Sequence, residues 1–375
     1  MKIGIDCRDL VGGSHTGTGR FVSNVIRCLP LTADPPALYL YGNQHTVFEL
    51  PAHVRARTRR KYEGAAWWWD RITLPRMVRR DKLDVFLSPT YKAPGIRSCP
   101  VAITIHDLLL LRMPPELSGR GAMYVRAFRP LAASSAARST AVLTVSEHSR
   151  TDIIELLGVR REKTHVVGHC VSPEFRPVDD AARLEAARSA YGIEGDYVLY
   201  VGSFGPHKNV DGLLRAFAAL PGELRRRVHL VLVGQPAKRE TDVHDDIHRL
   251  DIPDRVQVTG HVSDEHLPAL FSGASAFVTL SRWEGFGLPV LEAMACGTPV
   301  VCSNRAALPE VAGDATLMVD PEDANACAAA LARILTDDEL RRTLTAKGRA
   351  QAAVFPPERF ARLVIEALTT AANAR

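Results

Sequence analysis

The sequence predicts an α/β protein with two Rossmann-like, doubly wound domains, each built on a parallel sheet with helices on both faces. Short apolar, β-branched segments alternate with segments of helical length, a pattern typical of buried parallel strands. The 375 residues exceed what a single hydrophobic core usually serves. A stretch rich in proline and aspartate near Val178 is typical of a linker. We therefore expect a ligand site at the carboxyl ends of the strands, in a central cleft that the two domains face.

Ten segments are predicted to be strands, five on each side of the linker. The first five are Lys2–Cys7, Val85–Ser88, Val101–Ile105, Ala141–Val145 and Thr164–Val167, and the second five are Tyr197–Val201, His229–Val233, Val256–Thr259, Ala276–Thr279 and Thr316–Val319. Helices are predicted between them, as at Glu147–Gly158 and Asn209–Leu220. The predicted domains are 1–178 and 179–355, and we expect residues 356–375 to form a helix that returns to the first domain.

Composition and cysteine spacing exclude several classes of protein. No apolar run reaches the ~18 residues of a membrane span, and the first ten residues lack the apolar core of a signal peptide. The seven cysteines include no C-x-x-C pair, which argues against a zinc site or a disulfide framework and favours the cytoplasm. Residues 1–180 hold 26 basic and 17 acidic side chains, and the rest hold 21 and 25. Either the first domain faces something anionic, or its charge is incidental to an arginine-rich composition.

The segment "SRWEGFGLPVLEAMACGTPVV", which begins at residue 281, carries the most chemistry. Gly285 and Gly287 let backbone N–H groups approach a ligand closely. A helix is predicted from about Pro289 to Cys296, and its N-terminus favours an anion such as phosphate. Glu284 and Glu292 offer carboxylates that accept hydrogen bonds from sugar hydroxyls. The alternative is a turn residue at Glu284 and, at Glu292, a first-turn glutamate that complements the helix dipole.

The segment "YVLYVGSFGPHKNVDGLL" predicts a strand that runs into Gly202, a short loop, and Lys208 at the start of a helix. A cation is disfavoured at a helix N-terminus. Lys208 is better explained if it reaches an anion held beside those N–H groups. A solvated surface lysine is the alternative.

Gly12, Gly13, Gly17 and Gly19 follow the first strand, before a helix predicted from about Arg20. The spacing matches the dinucleotide fingerprint poorly, because the third glycine of G-x-G-x-x-G is missing and the loop is long. A glycine-rich loop that faces the cleft fits better. The alternative is a flexible surface loop.

His106 and Asp107 stand at the carboxyl end of an apolar strand, where a binding cleft is expected. His106 has the chemistry to bond a sugar hydroxyl or to move a proton. The alternative is a structural histidine.

Other patterns predict less. His244 and His248 have a metal-binding spacing, but they lie in a charged segment typical of an exposed helix. The basic run Arg55–Lys61 lacks the aromatic sheet or recognition helix of a nucleic-acid-binding protein, so no nucleic-acid partner is expected. The apolar spacing after Trp67 favours core packing. The sequence contains no D-x-D, the usual metal–diphosphate motif, so no metal site is predicted.

These elements, in this order, resemble the retaining glycosyltransferases of family 4, which have the GT-B fold. The resemblance covers nearly the whole chain and is most specific in "YVGSFGPHKN", "TGHVSDEHLPALFSGASAFV" and "SRWEGFGLPVLEAMACGTPVVCSNRAALPEVAG". Within the family the chain is most similar to bacterial mannosyl- and rhamnosyltransferases of polysaccharide assembly, through "TGTGRF", "SPTYKAP" and "TIHDL".

The resemblance implies a role for each matching residue. Glu284 would contact the donor sugar, Glu292 the ribose of the nucleotide, and Lys208 the diphosphate. His106 would lie near the transferred sugar. The remaining donor-binding residues implied are Gly17 and Gly19 over the phosphates, the backbone amides of Gly285, Phe286, Gly287 and Leu288 at the sugar and diphosphate, and the Gly234 and His261 regions beside the base. Glu284, Lys208 and His106 are the catalytic candidates.

Three positions depart from the family pattern. Ser203 stands where many relatives have an arginine after the glycine of the "VG" turn, and His207 replaces another common arginine. Neutralisation of the diphosphate would therefore depend more on Lys208 and the helix N-terminus. The segment "GHC", Gly168–Cys170, replaces the usual Asn-Gly-Val.

The resemblance also implies partners. The co-substrate would be a nucleotide sugar, such as GDP-mannose or another NDP-hexose, with no further cofactor. The acceptor would be a glycan or a polyprenyl-diphosphate-linked glycan, and an anionic inner-membrane surface would attract the basic first domain of a cytoplasmic enzyme. Two alternatives remain open: a GT-B phosphorylase or sugar-phosphate synthase, and a non-catalytic sugar- or nucleotide-binding protein.

Overall fold

The computed structural model describes residues 1–11, 17–48, 50–114, 122–234 and 243–374. Within these ranges the chain forms two compact units. One unit holds the chain up to Cys170 together with the segment from Pro356 onward, and the other holds Val171–Phe355.

The first unit contains a seven-stranded parallel sheet in the order β3-β2-β1-β4-β5-β6-β7. Its strands are β1 Lys2–Asp6, β2 Ala37–Gly42, β3 Ala56–Arg60, β4 Val85–Ser88, β5 Val101–Thr104, β6 Ala141–Thr144 and β7 Thr164–Val166. Every residue of the interior strands β4, β5 and β6 is buried, because helices cover both faces of the sheet. The strand order reverses between β1 and β4.

Seven helices of this unit lie in the described ranges. They are α1 Gly17–Cys28, α2 Ala66–Trp68, α3 Leu74–Asp81, α4 Leu109–Arg112, α5 Ala122–Arg138, α6 Glu147–Leu157 and, from the far end of the chain, α16 Pro357–Asn373. A π-helical turn, Trp69–Thr73, joins α2 to α3. The sequence sets both ends of α6: the Ser146 side chain accepts a hydrogen bond from the Ser149 N–H, and Gly158 ends the helix at a φ of 67°.

The second unit contains a six-stranded parallel sheet in the order β10-β9-β8-β11-β12-β13. Its strands are β8 Asp196–Val201, β9 Val228–Val233, β10 Val256–Gly260, β11 Ala276–Thr279, β12 Val300–Ser303 and β13 Leu317–Val319. Its helices are α7 Ala181–Ala190, α8 Val210–Ala218, α9 Gly222–Arg227, α10 Val243–Arg249, α11 Leu267–Gly273, α12 Leu288–Ala295, α13 Leu308–Ala312, α14 Ala324–Thr336 and α15 Asp338–Ala352. Here the strand order reverses between β8 and β11.

The α/β prediction is confirmed in both units, and the ten predicted strands are present with ends that differ by at most one residue. Three strands were missed. The strand β3 reads "ARTRR" and lies at a sheet edge, so it lacks the apolar run on which the prediction depended. The strand β2 has six residues, and β12 has four and begins at the end of the segment that carries the two glutamates.

The second unit begins at Val171, before the predicted boundary. The Val171 N–H donates to the Phe355 carbonyl at 3.2 Å, and the Phe175 and Phe271 rings meet edge to face. The segment before Val178 therefore packs as part of the second unit rather than as a free linker. At the other end, Phe360 of α16 packs against Phe21 of α1 with ring centroids 5.7 Å apart.

Core packing was predicted for the apolar positions of the segment 67–80, and Trp69, Leu74 and Val78 are buried as predicted, but Trp67 and Trp68 are not. Their exposed fractions are 63% and 47%, whereas Trp69 is buried. The π-helical turn shifts the register of side chains along this segment. Across the described part of the chain, no helix has both the length and the apolar composition needed to span a bilayer.

Candidate active site

The two loops that carry Lys208 and Glu284 meet at the strand reversal of the second unit. Lys208 ends a 3₁₀ turn, Pro206–Lys208, that follows β8. Glu284 lies in the loop that follows β11, the neighbouring strand. A crevice at such a reversal is where doubly wound sheets bind ligands. The sheet topology therefore brings together two side chains that lie 76 residues apart.

Lys208 and Glu284 form a close ion pair. The Lys208 Nζ donates to Glu284 Oε1 at 2.6 Å, and the Ser281 hydroxyl donates to the same oxygen at 2.8 Å. Burial alone would raise the pKa of the Glu284 carboxyl, but the Lys208 ammonium and the Ser281 hydroxyl hold that pKa below its ordinary value. The carboxylate is therefore ionised at neutral pH, and the pair presents preorganised polar groups.

His207 lies beside this pair and is neutral at pH 7. Burial, and then the adjacent Lys208 charge, lower the pKa of its imidazole to about 4. His207 cannot supply the charge that an arginine would supply at this position. Lys208 therefore carries the positive charge of this turn.

Gly285–Leu288 lead into α12 as predicted, with the helix starting one residue early. Gly287 adopts a φ of 107°, and a Cβ there would lie 2.5 Å from Leu308 Cδ2, so only glycine fits. Phe286 is buried and packs edge to face on the Phe355 ring. This packing fixes the turn that presents its backbone N–H groups at the start of the helix.

Glu292 lies in the second turn of α12 and is only 4% exposed. The alternative interpretation, a first-turn glutamate that complements the dipole, is therefore wrong. A carboxylate is costly to bury, so a buried glutamate among the apolar residues of this helix indicates a polar function.

Gly234 and His261, whose regions were predicted to flank the base, follow β9 and β10, and Ser203 follows β8. Gly234 follows β9 at a φ of 147°, and a Cβ there would lie 1.8 Å from the Gly202 carbonyl oxygen. Its N–H donates to the Gly260 carbonyl at 2.9 Å, which ties the ends of β9 and β10 together. Ser203 and His261 are exposed. All three residues are thus on the ligand-binding edge of the sheet.

In the first unit, His106 follows β5 as predicted. Its Nε2 lies 3.1 Å from the Pro89 carbonyl oxygen, which selects the tautomer with the proton on Nε2 and leaves Nδ1 as the acceptor. Burial lowers the pKa of the imidazole to about 4, so the ring is neutral. Phe21 meets it edge to face at 5.0 Å, and the His169 ring stacks on it at 6.2 Å.

Gly17 and Gly19 are not loop residues, as they were predicted to be. Gly17 is the first residue of α1, and Gly19 is buried within it. The intrinsic helix propensity of glycine is low, so the start of this helix was placed too late. Gly12 and Gly13, the first glycines of the predicted loop, lie outside the described residues.

No role was predicted for three residues beside the site: Ser281 donates to Glu284, His169 stacks on His106, and Arg282 bonds the turn that ends at Lys208. Ser281 and Arg282 belong to the motif itself, and their position beside Glu284 was a usable signal. His169 lies in the "GHC" segment. The departure of that segment from the family pattern could have identified His169 from the sequence. The helical histidines His244 and His248 are exposed, and among residues that the structure describes no group of three potential metal ligands occurs.

Comparison with known proteins places this site in a family. The model described as "Glycosyltransferase Family 4" matches residues 16–175, and that of "Glycosyl transferases group 1" matches residues 185–351. The chain is 36% identical to the O-antigen chain mannosyltransferase B of Escherichia coli over 91% of this chain and 92% of that protein.

Solved structures agree on the fold. HepE of Anabaena, solved with UDP and glucose, superposes with a TM-score of 0.77 at 21% identity and covers 98% of this chain and 99% of its own. Sucrose-phosphate synthase from Thermosynechococcus elongatus gives 0.75 at 22% identity, over 97% of each chain. Two parallel doubly wound units with these neighbours define the GT-B fold. The chain belongs to glycosyltransferase family 4.

Proposed function

We propose that this enzyme transfers a hexose, mannose or a similar sugar, from a nucleotide-diphosphate sugar to a glycan or glycolipid acceptor in cell-surface polysaccharide synthesis. The observation that carries the proposal is the Lys208–Glu284 pair beside the amides that start α12. The similarity to an O-antigen chain mannosyltransferase supports mannose as the sugar.

The proposed donor site assigns each charge to one part of the ligand. Lys208 and the N-terminus of α12 stabilise the leaving diphosphate as the anomeric bond breaks. Glu284 accepts hydrogen bonds from hydroxyls of the donor sugar, and Glu292 from those of the ribose. His106 offers a neutral Nδ1 acceptor near the transferred sugar. The Gly234 and His261 regions flank the base, and Ser203 lies at the same edge of the sheet.

Transfer with retention and without a metal is part of the same proposal. The lysine and the helix N-terminus supply the positive charge that a divalent cation would otherwise supply at the diphosphate. The competing functions are a phosphorylase or sugar-phosphate synthase, which needs an additional anion site, and a non-catalytic binding protein.

A nucleotide-sugar panel tests the proposal. We expect release of nucleoside diphosphate from one donor, GDP-mannose first among those tried, in the presence of a mannan oligosaccharide or a lipid-linked glycan. The same turnover should persist in excess EDTA. Dependence on added inorganic phosphate or a sugar phosphate would indicate the competing enzyme class, and loss in EDTA that Mg²⁺ or Mn²⁺ restores would contradict metal independence. Donor binding without release would indicate a binding protein.

A lipid-linked acceptor would lie at a membrane, and surface features of the first unit support association with an anionic membrane. Of the ten exposed large apolar residues in the described chain, nine belong to this unit. Tyr62, Trp67 and Trp68 cluster on one segment, and the exposed basic residues nearby are Lys61, Arg71, Arg76, Arg79 and Arg80. Tryptophan suits the membrane interface, and each basic residue near it contributes about 1 kcal/mol.

The α5 surface is the other candidate contact, and Arg120, just before it, lies outside the described residues.

Vesicle co-sedimentation tests this association. We expect salt-sensitive binding to vesicles containing phosphatidylglycerol and little binding to neutral vesicles. Arg79→Gln should weaken binding about fivefold, since it removes roughly 1 kcal/mol, and Trp67→Ala should weaken it similarly. The matched control is Val354→Ala, which removes the exposed apolar side chain of the second unit and should change nothing. Equal partitioning onto both kinds of vesicle, or none at low salt, would contradict the association.

A further inference from the structure

Arg282 joins the two loops of the candidate donor site. Its backbone N–H donates to the His207 carbonyl at 2.7 Å, and its Nη1 donates to the Pro206 carbonyl at 2.8 Å. Both acceptors belong to the 3₁₀ turn that ends at Lys208. Arg282 itself lies two residues before Glu284, so one residue holds the lysine turn against the glutamate loop.

A third loop anchors the arginine. Arg282 Nε donates to Glu322 Oε1 at 2.6 Å, and a second guanidinium nitrogen lies 3.3 Å from Glu322 Oε2. Glu322 follows β13, at the same edge of the sheet. The Arg282 side chain is only 15% exposed, whereas that of Glu322 is 46% exposed. The arginine is therefore held in a fixed orientation between three loops.

Asn209 makes a parallel connection. It directly follows Lys208, is fully buried, and adopts a φ of 57°. Its Nδ2 donates to the Pro321 carbonyl at 2.7 Å. The residue after the catalytic lysine candidate and the arginine before the catalytic glutamate candidate are thus both tied to the same two-residue segment, Pro321–Glu322.

We propose that Arg282, held by Glu322, is a positioning residue that sets the Lys208 turn at the distance from the Glu284 loop that diphosphate binding requires. The proposal rests on the donor site described under the proposed function. Lysine carries a single ammonium on a flexible stem. The position of the backbone that carries the stem therefore limits which atoms the ammonium can reach. Arginine suits the task because its planar guanidinium presents several donors in a fixed fork, and Arg282 uses them on a carbonyl of the turn and on the Glu322 carboxylate.

The proposal separates diphosphate recognition from the rest of nucleotide binding. A displaced Lys208 loses contact with the diphosphate, while the base and ribose contacts on other loops persist. The measured quantity is therefore the ratio of affinities for a nucleoside diphosphate and its monophosphate. Calorimetry with GDP and GMP, and in parallel with UDP and UMP, gives this ratio for each variant.

We expect Arg282→Ala to reduce the diphosphate-to-monophosphate ratio about fivefold, with monophosphate affinity changed less than twofold. Arg282→Lys should give an intermediate ratio, because a single ammonium group replaces the planar guanidinium and its several donors. Glu322→Gln, at a half-exposed position that tolerates substitution, should shift the ratio in the same direction if Arg282→Ala fails to fold. The matched control is Arg305→Ala. Arg305 also pairs with Glu322, at 3.9 Å, so this variant removes a neighbouring arginine without removing a contact with the turn.

The variants distinguish failure of this proposal from failure of the donor site. If Lys208→Ala lowers the ratio and neither Arg282→Ala nor Glu322→Gln does, the positioning role is wrong and the donor site stands. An equal loss of monophosphate and diphosphate affinity in Arg282→Ala would show a general structural role instead. If Lys208→Ala leaves the ratio unchanged, or if the unmodified enzyme binds none of the four nucleotides, the donor site itself fails.

Discussion

Lys208→Ala is expected to lower kcat about 100- to 1000-fold, the range found when one preorganised donor to a developing negative charge is removed. Lys208 carries the positive charge of its turn, because His207 is neutral at pH 7. Its ammonium already lies 2.6 Å from Glu284, so the charge is placed before the donor binds. Loss of that charge raises the barrier to departure of the diphosphate and leaves the acceptor site intact.

Stability must be measured alongside turnover. The Lys208 and Glu284 side chains are 17% and 15% exposed, and removal of one partner leaves a partly buried charge, which is destabilising. Lys208→Arg, which keeps the charge, should retain more activity than Lys208→Ala at the same melting temperature as the unmodified enzyme. The matched control is Lys347→Ala, which breaks the exposed pair with Asp314. A Lys208→Ala enzyme that melts early but turns over normally when folded would show that the lysine is structural.

Glu292→Gln is expected to weaken donor binding about 10- to 100-fold. A hydrogen bond to a charged group contributes roughly 1.5–3 kcal/mol, and the proposed ribose contact loses that charge. Glutamine keeps the volume of a side chain that is 4% exposed, so packing changes little. The KM for the donor and the dissociation constant of the free nucleoside diphosphate should rise together, with kcat nearly unchanged.

The same measurement on Glu339→Gln provides the control for Glu292, because Glu339 is an exposed glutamate at the start of α15 in the same unit. Unchanged nucleotide affinity in Glu292→Gln would remove the ribose assignment. A fall in kcat alone would place Glu292 at the reacting sugar instead. The two glutamates of the motif are thereby separated by experiment.

The sequence predicted the parts of the fold that depend on local pattern. Buried strands such as Val85–Ser88 and Ala276–Thr279 are apolar up to their last residue, and both were predicted with the observed ends. The edge strand Ala56–Arg60 was missed because its partners in the sheet, rather than its composition, make it a strand. Gly17 was placed in a loop because its propensity is low, whereas the structure makes it the first residue of α1.

The candidate site was predictable as a set of residues and not as a geometry. Lys208 and Glu284 were identified from their motifs, but their direct contact follows from the adjacency of β8 and β11 in the sheet. The contact of Arg282 with Glu322 joins residues 40 apart through a third strand. Periodicity reports only neighbours along the chain, so such contacts are visible only once the strand order is known.

The first unit is completed by α16, a helix that the ribosome makes after the whole of the second unit. Phe360, Val364 and Leu368 are almost completely buried, and Phe360 packs on Phe21 near the opposite end of the chain. Domains that emerge early from the ribosome are generally able to fold first. Here the first sheet keeps one apolar surface uncovered while about half of the protein is still being translated. Until α16 has been made, the residues of the first unit that it covers, Phe21 among them, lack their native contacts.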